Sequence, residues 1–227
     1  MQNANQLKAE ICDVGSRLWQ RGLVAGSDGN ISARLTETEV LCTPTMHSKG
    51  RLHPEVLCLV DMEGNQLAGT KKRSSEILLH LEIMRARPDV QAVVHCHPPH
   101  ASAFAITGKE VPRGIMPEAE VFLGEIPLAP YETPGTATFA RTVLPFVLRT
   151  NVCMLANHGT VTFADTLEFA YHLTEYLEAY CRILLLSQSL GSCQELPPEK
   201  LVELTQIRRQ IGVAPPGDNS STSQQGP

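Results

Sequence analysis

The amino-acid sequence predicts an α/β domain, three layers deep (α/β/α), built around a central, largely antiparallel sheet. Three observations carry that expectation. Helical and strand-like periodicities are mixed along the chain. Several strand-like runs follow one another with no helix between them, which argues against strict βαβ alternation. One run, Val152-Cys153-Met154-Leu155-Ala156, is short and continuously apolar, as a buried strand is. With 227 residues, 42% hydrophobic and 19% charged, the chain suits one good-sized domain with a substantial core.

The elements follow in order. Leu7, Ile11, Val14 and Leu18 recur at helical spacing over residues 6–21, with Gly22 just past the end. Gly26-Ser27-Asp28-Gly29-Asn30 is a glycine-punctuated turn, and 31–35 alternates like a strand. Residues 40–43 and 57–61 are two more short strands, and 62–65 is a hairpin-type turn. Ser74-Ser75 precedes a helical pattern with Ile77, Leu78, Leu81 and Met84 on one face, ending before Pro88. A strand at about 91–97 and a short helix at 99–106 come next. Residues 126–131 are extended, 136–148 reads as a helix capped by Gly135-Thr136, and the strand at 152–156 breaks at 157–160. Helices over 166–189 and 197–210 complete the domain, which spans 1–212. From Ala214 onward the chain lacks apolar side chains beyond proline, so 213–227 is expected to be a disordered tail.

Bulk features exclude several function classes. The net charge is −5 and the longest basic run is Lys71-Lys72-Arg73, so no nucleic-acid footprint is present. The polar start Met1-Gln2-Asn3-Ala4-Asn5-Gln6 is unlike a signal peptide, and no apolar segment approaches the roughly 18 to 20 residues that span a bilayer. Seven scattered cysteines with no CxxC pair point to reduced thiols. A cytoplasmic protein with no nucleic-acid or membrane partner is expected.

Chemistry is concentrated in a few side chains. The apolar run Ala92-Val93-Val94 leads into His95-Cys96-His97, and side chains alternate along a strand, so the two imidazoles share a face. That pattern fits half of a metal site, or two surface histidines on an edge strand. His158 sits at the end of a buried strand in a glycine-containing turn, a similar context. Three histidines without a fourth protein ligand form an open site, which suits Zn²⁺, with cobalt, manganese or iron as substitutes. His47, His53, His80, His100 and His172 read as surface or core histidines. Glu76, at a helix start, is either an ordinary first-turn carboxylate or an acid/base group beside a metal. Ser74-Ser75 at that helix start, and Gly29-Asn30 with Thr45, look like anion cradles.

Taken together, Gly26-Ser27-Asp28-Gly29-Asn30-Ile31-Ser32-Ala33-Arg34, Thr43-Pro44-Thr45, Ser74-Ser75-Glu76, His95-Cys96-His97 and Asn157-His158-Gly159 resemble the class II aldolase/adducin family over about residues 6–210. The resemblance implies that His95, His97 and His158 bind zinc and that Glu76 is the catalytic acid/base. It implies a substrate phosphate held by Gly29, Asn30, Thr45, Ser74 and Ser75. It also implies a homotetramer with sites at subunit interfaces. The implied reaction is aldol cleavage of a phosphorylated ketose, of the L-fuculose 1-phosphate type, into dihydroxyacetone phosphate and an aldehyde through a metal-stabilised enediolate. Sister epimerases, dehydratases and decarboxylases on the same scaffold are the alternative. Two departures stand out. Met46 follows Thr45 where the aldolases have glycine, and Met116 falls where they place a tyrosine that works on the aldehyde side. Tyr131, Glu118 and Glu120 lie near it in sequence.

Overall fold

The structure, a computed structural model, describes residues 3–217. Helix α1 (Ala4–Gln20) buries Leu7, Ile11, Val14 and Leu18 and starts at an Asn3 cap. Strands β1 (Asn30–Arg34), β2 (Glu39–Cys42) and β3 (Cys58–Asp61) form an antiparallel meander, with β4 (Gln66–Ala68) added at its edge. Then come α2 (Ile77–Ala86), β5 (Ala92–Cys96), α3 (Pro99–Thr107), β6 (Leu128–Ala129) and α4 (Ala137–Arg141). The hairpin β7 (Val152–Leu155) and β8 (Gly159–Ala164) leads into α5 (Leu167–Ser187) and α6 (Pro198–Gln210). The strand order is β4-β3-β2-β1-β5-β8-β7-β6, and every pairing is antiparallel except β6 with β7. This is the three-layer α/β/α arrangement expected.

Strand alternation sorts the core into two. Val94 and Cys96 pack with α1, α3 and α5, while Val93 packs with α2 and α4 on the opposite face. His95, two residues after Val93, therefore emerges on the α2 side, and Cys96 points away from it. Both faces of β5 are covered, which is why its sequence reads as a continuous apolar run.

Two sequence expectations need correction, and the structure adds two features to the rest. The helix expected over 136–148 ends at Arg141. Pro145 has no N–H to offer the Arg141 carbonyl, and the chain continues in turns such as Leu144 N–H to Arg141 C=O. Residues 159–164 form a central strand rather than the end of a turn region, and 66–68 form an edge strand. Within the expected tail, 213–217 are tied to the domain. The Gly217 N–H donates to the Leu148 carbonyl, and Asn151 Nδ2 donates to that of Val213. Residues 218–227 lie outside the described residues. No helix among the described residues is long and apolar enough to cross a membrane.

Candidate active site

Three elements deliver the histidines. His95 is the penultimate residue of β5, His97 follows the strand end, and His158 sits in the β7–β8 turn. That turn is three residues long, and Asn157 takes the left-handed conformation (φ +56°), which asparagine tolerates better than most residues. Gly159 lets the hairpin close against β5, because a Cβ there would lie 2.5 Å from His97 Cδ2 and 2.6 Å from the Cys96 carbonyl. Cys153 to Leu155 and their β8 partners are buried, so His158 is presented from a rigid hairpin.

One ring nitrogen from each of His95, His97 and His158 lies within 4.8 Å of the other two. His95 Nδ1 faces the Thr160 carbonyl at 2.9 Å, and a carbonyl only accepts, so the proton sits on Nδ1. His97 Nδ1 likewise faces the Asp28 carboxylate at 3.2 Å. With the rings neutral, both Nε2 atoms then present lone pairs, and they lie 3.2 Å apart. Two lone pairs at that distance repel unless a cation sits between them. Tetrahedral ligands on zinc are about 3.3 Å apart, given Zn–N bonds of roughly 2.0–2.1 Å. The donor set fits a metal ion of the zinc type. Burial, reinforced by the neighbouring imidazoles, holds the His95 pKa well below the usual value. Burial also lowers that of His158, although Glu76 opposes it. Neutral imidazole is the ligating form.

Glu76 immediately precedes α2, but its side chain makes no capping bond; the Ser74 hydroxyl accepts the Glu76 N–H instead. Its carboxylate turns into the histidine cluster. Oε2 accepts a 2.7 Å hydrogen bond from Asn30 Nδ2 and lies 3.4 Å from His95 Nε2, while Oε1 lies 3.5 Å from His158 Nε2. Asn30 stands opposite His95 in the β1–β5 register, which explains how it reaches the carboxylate. Gly29 is fixed twice over: its φ is +69°, and a Cβ would lie 2.8 Å from the His95 carbonyl.

The expected anion-binding residues lie on adjoining segments. Thr45 N–H donates to the Lys72 carbonyl and Ser74 N–H to that of Thr43, pairing the two segments that carry Thr45 and Ser74-Ser75. These bonds and the one from Asn30 to Glu76 occupy donors that sequence reasoning assigned to an anion. The hydroxyls of Thr45, Ser74 and Ser75 supply the remaining side-chain donors. Met46, in the left-handed region at φ +54°, is 84% exposed, so the bulky side chain points out to solvent.

Asp28 was invisible as a site residue in the sequence, since only the fold brings its loop to His97. Burial pushes its pKa up, but the bonds from His97 and the Ala25 N–H outweigh that and hold it below the usual carboxylate range. The other histidines are engaged elsewhere. His80 is buried against the Ser32 hydroxyl, His100 pairs with Glu178, and His53 and His172 pair with Glu55 and Glu168. His47 Nε2 faces the Arg51 carbonyl. Near Met116, Glu120 is committed to Arg113 and the Gly114 N–H, and Tyr131 is exposed.

Comparison with known proteins points the same way. The model of the class II aldolase and adducin N-terminal domain matches residues 9–185. An L-fuculose phosphate aldolase of Methanococcus vannielii is 39% identical over 174 residues, 77% of this chain and 91% of that protein. A 3-oxo-tetronate 4-phosphate decarboxylase of Escherichia coli (strain K12) is 33% identical over 184 residues, 79% of this chain and 86% of that one. The solved structure of YgbL from Escherichia coli, described as an aldolase/epimerase/decarboxylase, is similar with a TM-score of 0.83 and 30% identity, covering 88% of this chain and 98% of that chain. The chain belongs to the class II aldolase and adducin family.

Proposed function

We propose that this chain is a zinc-dependent lyase that breaks a carbon–carbon bond in a phosphorylated sugar and releases dihydroxyacetone phosphate. The observation that carries this reading is the convergence of three imidazole nitrogens beside the Glu76 carboxylate, at the edge of the hydroxyl-lined segments. A divalent metal on His95, His97 and His158 supplies Lewis-acid stabilisation of the charge left on the substrate when the bond breaks.

The chain's own residues do the rest. Thr45, Ser74 and Ser75 hold the phosphate, with Gly29 admitting its close approach, and so set the position of the carbonyl end. Asn30 holds Glu76 Oε2, which leaves Oε1 as the atom that delivers a proton to the substrate carbon or removes it. Asp28 and the Thr160 carbonyl keep protons off the two Nε2 atoms. In the aldolase form, a ketose 1-phosphate of the L-fuculose type gives dihydroxyacetone phosphate and an aldehyde.

The resemblance, with a 3-oxo-tetronate 4-phosphate decarboxylase among the relatives, supports a second reading, decarboxylation of a 3-oxo sugar acid 4-phosphate. Aldol cleavage must take a proton from the hydroxyl at the breaking bond, and Met116, a thioether that by sequence spacing falls where an L-fuculose-type aldolase places its tyrosine, cannot take one. In decarboxylation the departing group is already a carboxylate and leaves as CO2, so no such proton transfer is needed. A four-carbon substrate of that kind also leaves dihydroxyacetone phosphate. A homotetramer in the cytoplasm, with reduced thiols, completes the proposal, and light scattering checks its size.

Zinc-loaded protein offered L-fuculose 1-phosphate and 3-oxo-tetronate 4-phosphate in turn, with a reductase reporting dihydroxyacetone phosphate, tests both readings. Formation from the ketose supports the aldolase; formation with CO2 from the acid, above the uncatalysed rate, supports the decarboxylase. No dihydroxyacetone phosphate from either overturns the proposal.

A further inference from the structure

Lys49 stands apart from the surface lysines of this chain. It begins a 3-10 turn (Lys49–Arg51) packed against α1 and is only 1% exposed. Its ammonium donates to two carbonyls, Ser27 at 2.8 Å and His47 at 2.7 Å. Among the described residues no carboxylate lies within 4.0 Å of it. A buried charge without a counter-ion is costly. Burial pulls the Lys49 pKa down to about 8, with Asp28 and Glu76 opposing from further away.

The location gives this cation a purpose. Ser27 lies two residues before Gly29, and His47 two residues after Thr45. Lys49 thereby ties together the two loops that carry the expected anion-binding residues, and Ser27 Oγ and Met46 Sδ come within 4.0 Å across the same junction. Gly29, Asn30, Thr45, Ser74 and Ser75 are all uncharged. A phosphate monoester brings close to two negative charges at neutral pH, and it would enter a region that already holds Asp28 and Glu76. Hydroxyls orient such a group, but they supply no net charge.

We propose that Lys49 is a substrate-selecting residue: its buried ammonium joins the two loops and gives the site its preference for a phosphate ester over an uncharged sugar. This rests on the phosphate-binding reading above. The loss of one charge-assisted contribution weakens binding by roughly 10- to 100-fold.

The test is binding of glycerol 3-phosphate, against glycerol, to zinc-loaded wild type, Lys49→Gln and Lys49→Met, measured by calorimetry. Glutamine removes the charge and offers two N–H donors to the two carbonyls from a side chain one bond shorter, with an added amide oxygen; methionine removes both the charge and the donors. Lys49→Gln is expected to bind glycerol 3-phosphate roughly 10- to 100-fold more weakly, with unchanged zinc content and a melting temperature near that of wild type. In turnover its KM rises while kcat holds. Should Lys49→Met fail to fold, Lys49→Gln alone decides. Wild type that binds glycerol 3-phosphate no better than glycerol overturns the phosphate reading, and this inference with it. Wild type that binds it while Lys49→Gln binds equally well overturns the role of Lys49 alone.

Discussion

Replacing Asp28 with asparagine probes a side chain that contacts His97 directly and acts on the other two histidines only through its charge. In the native loop, Oδ1 accepts the Ala25 N–H at 2.6 Å, and Oδ2 receives the His97 Nδ1 proton at 3.2 Å. Asparagine keeps its one acceptor on the Ala25 N–H and turns an NH2 group towards the imidazole. His97 Nδ1 must then accept, so the ring proton moves to Nε2, the atom aimed at the metal. Loss of an outer carboxylate of this kind costs about 10- to 100-fold in metal affinity, or roughly 1.4 to 2.7 kcal/mol. Both side chains are more than a quarter exposed (29% and 28%), which favours the lower end for a simple deletion. Asp28→Ala leaves the ring free to choose its tautomer, and Asp28→Asn does not, so asparagine is expected to be the more damaging change. Zinc dissociation constants from competition with a chromogenic chelator give the answer. Equal affinity in wild type and Asp28→Asn, or a weaker site in Asp28→Ala than in Asp28→Asn, would refute the tautomer argument.

Other expectations follow from the same geometry. Glu76→Gln keeps the bond with Asn30 and the three histidines but loses the proposed proton carrier; zinc content should stay near one per chain while kcat falls by about 10²- to 10⁴-fold. Gly159→Ala places a Cβ against His97 and the Cys96 carbonyl; a loss of about 1–3 kcal/mol, seen as a melting temperature lower by roughly 3–10 °C, should accompany weaker zinc binding. His80 titrates at about 3 in the folded chain, pushed down by burial and then by His95, against 6.5 unfolded. The unfolded state thus binds the extra proton between those values. The contribution is fully present above pH 6.5 and is lost as pH falls towards 3, with a slope of about 1.4 kcal/mol per pH unit. Denaturant unfolding of His80→Asn across that window should show a shallower loss than wild type.

Much of this site was legible before the fold was known, for identifiable reasons. Val93 and Val94 lie in a strand covered on both faces, so their run of apolar residues marks β5 and the histidines at its end. His158 was visible because a glycine follows it, and Gly159 is the residue the close approach to His97 demands. The neighbouring strand β8 was not visible, because Thr160 and Thr162 give it a polar look. Its buried hydroxyls are satisfied by bonds to the Cys96 and Ala170 carbonyls. The expected helix over 136–148 was overextended because its apolar spacing continues past Pro145, where the backbone cannot. Asp28 and Lys49 carry no local signal: their meaning comes from His97 and from the Ser27 and His47 carbonyls, which the loops deliver only in the folded chain. Nothing local in the sequence shows that the Asn30 amide bonds Glu76, a partner 46 residues away.

The proposed metal centre is tested most directly by X-ray absorption at the zinc edge of the loaded protein. The geometry predicts three imidazole nitrogens at roughly 2.0–2.1 Å with one or two oxygen ligands and no sulfur. A sulfur shell near 2.3 Å, or fewer than three imidazoles, would contradict it.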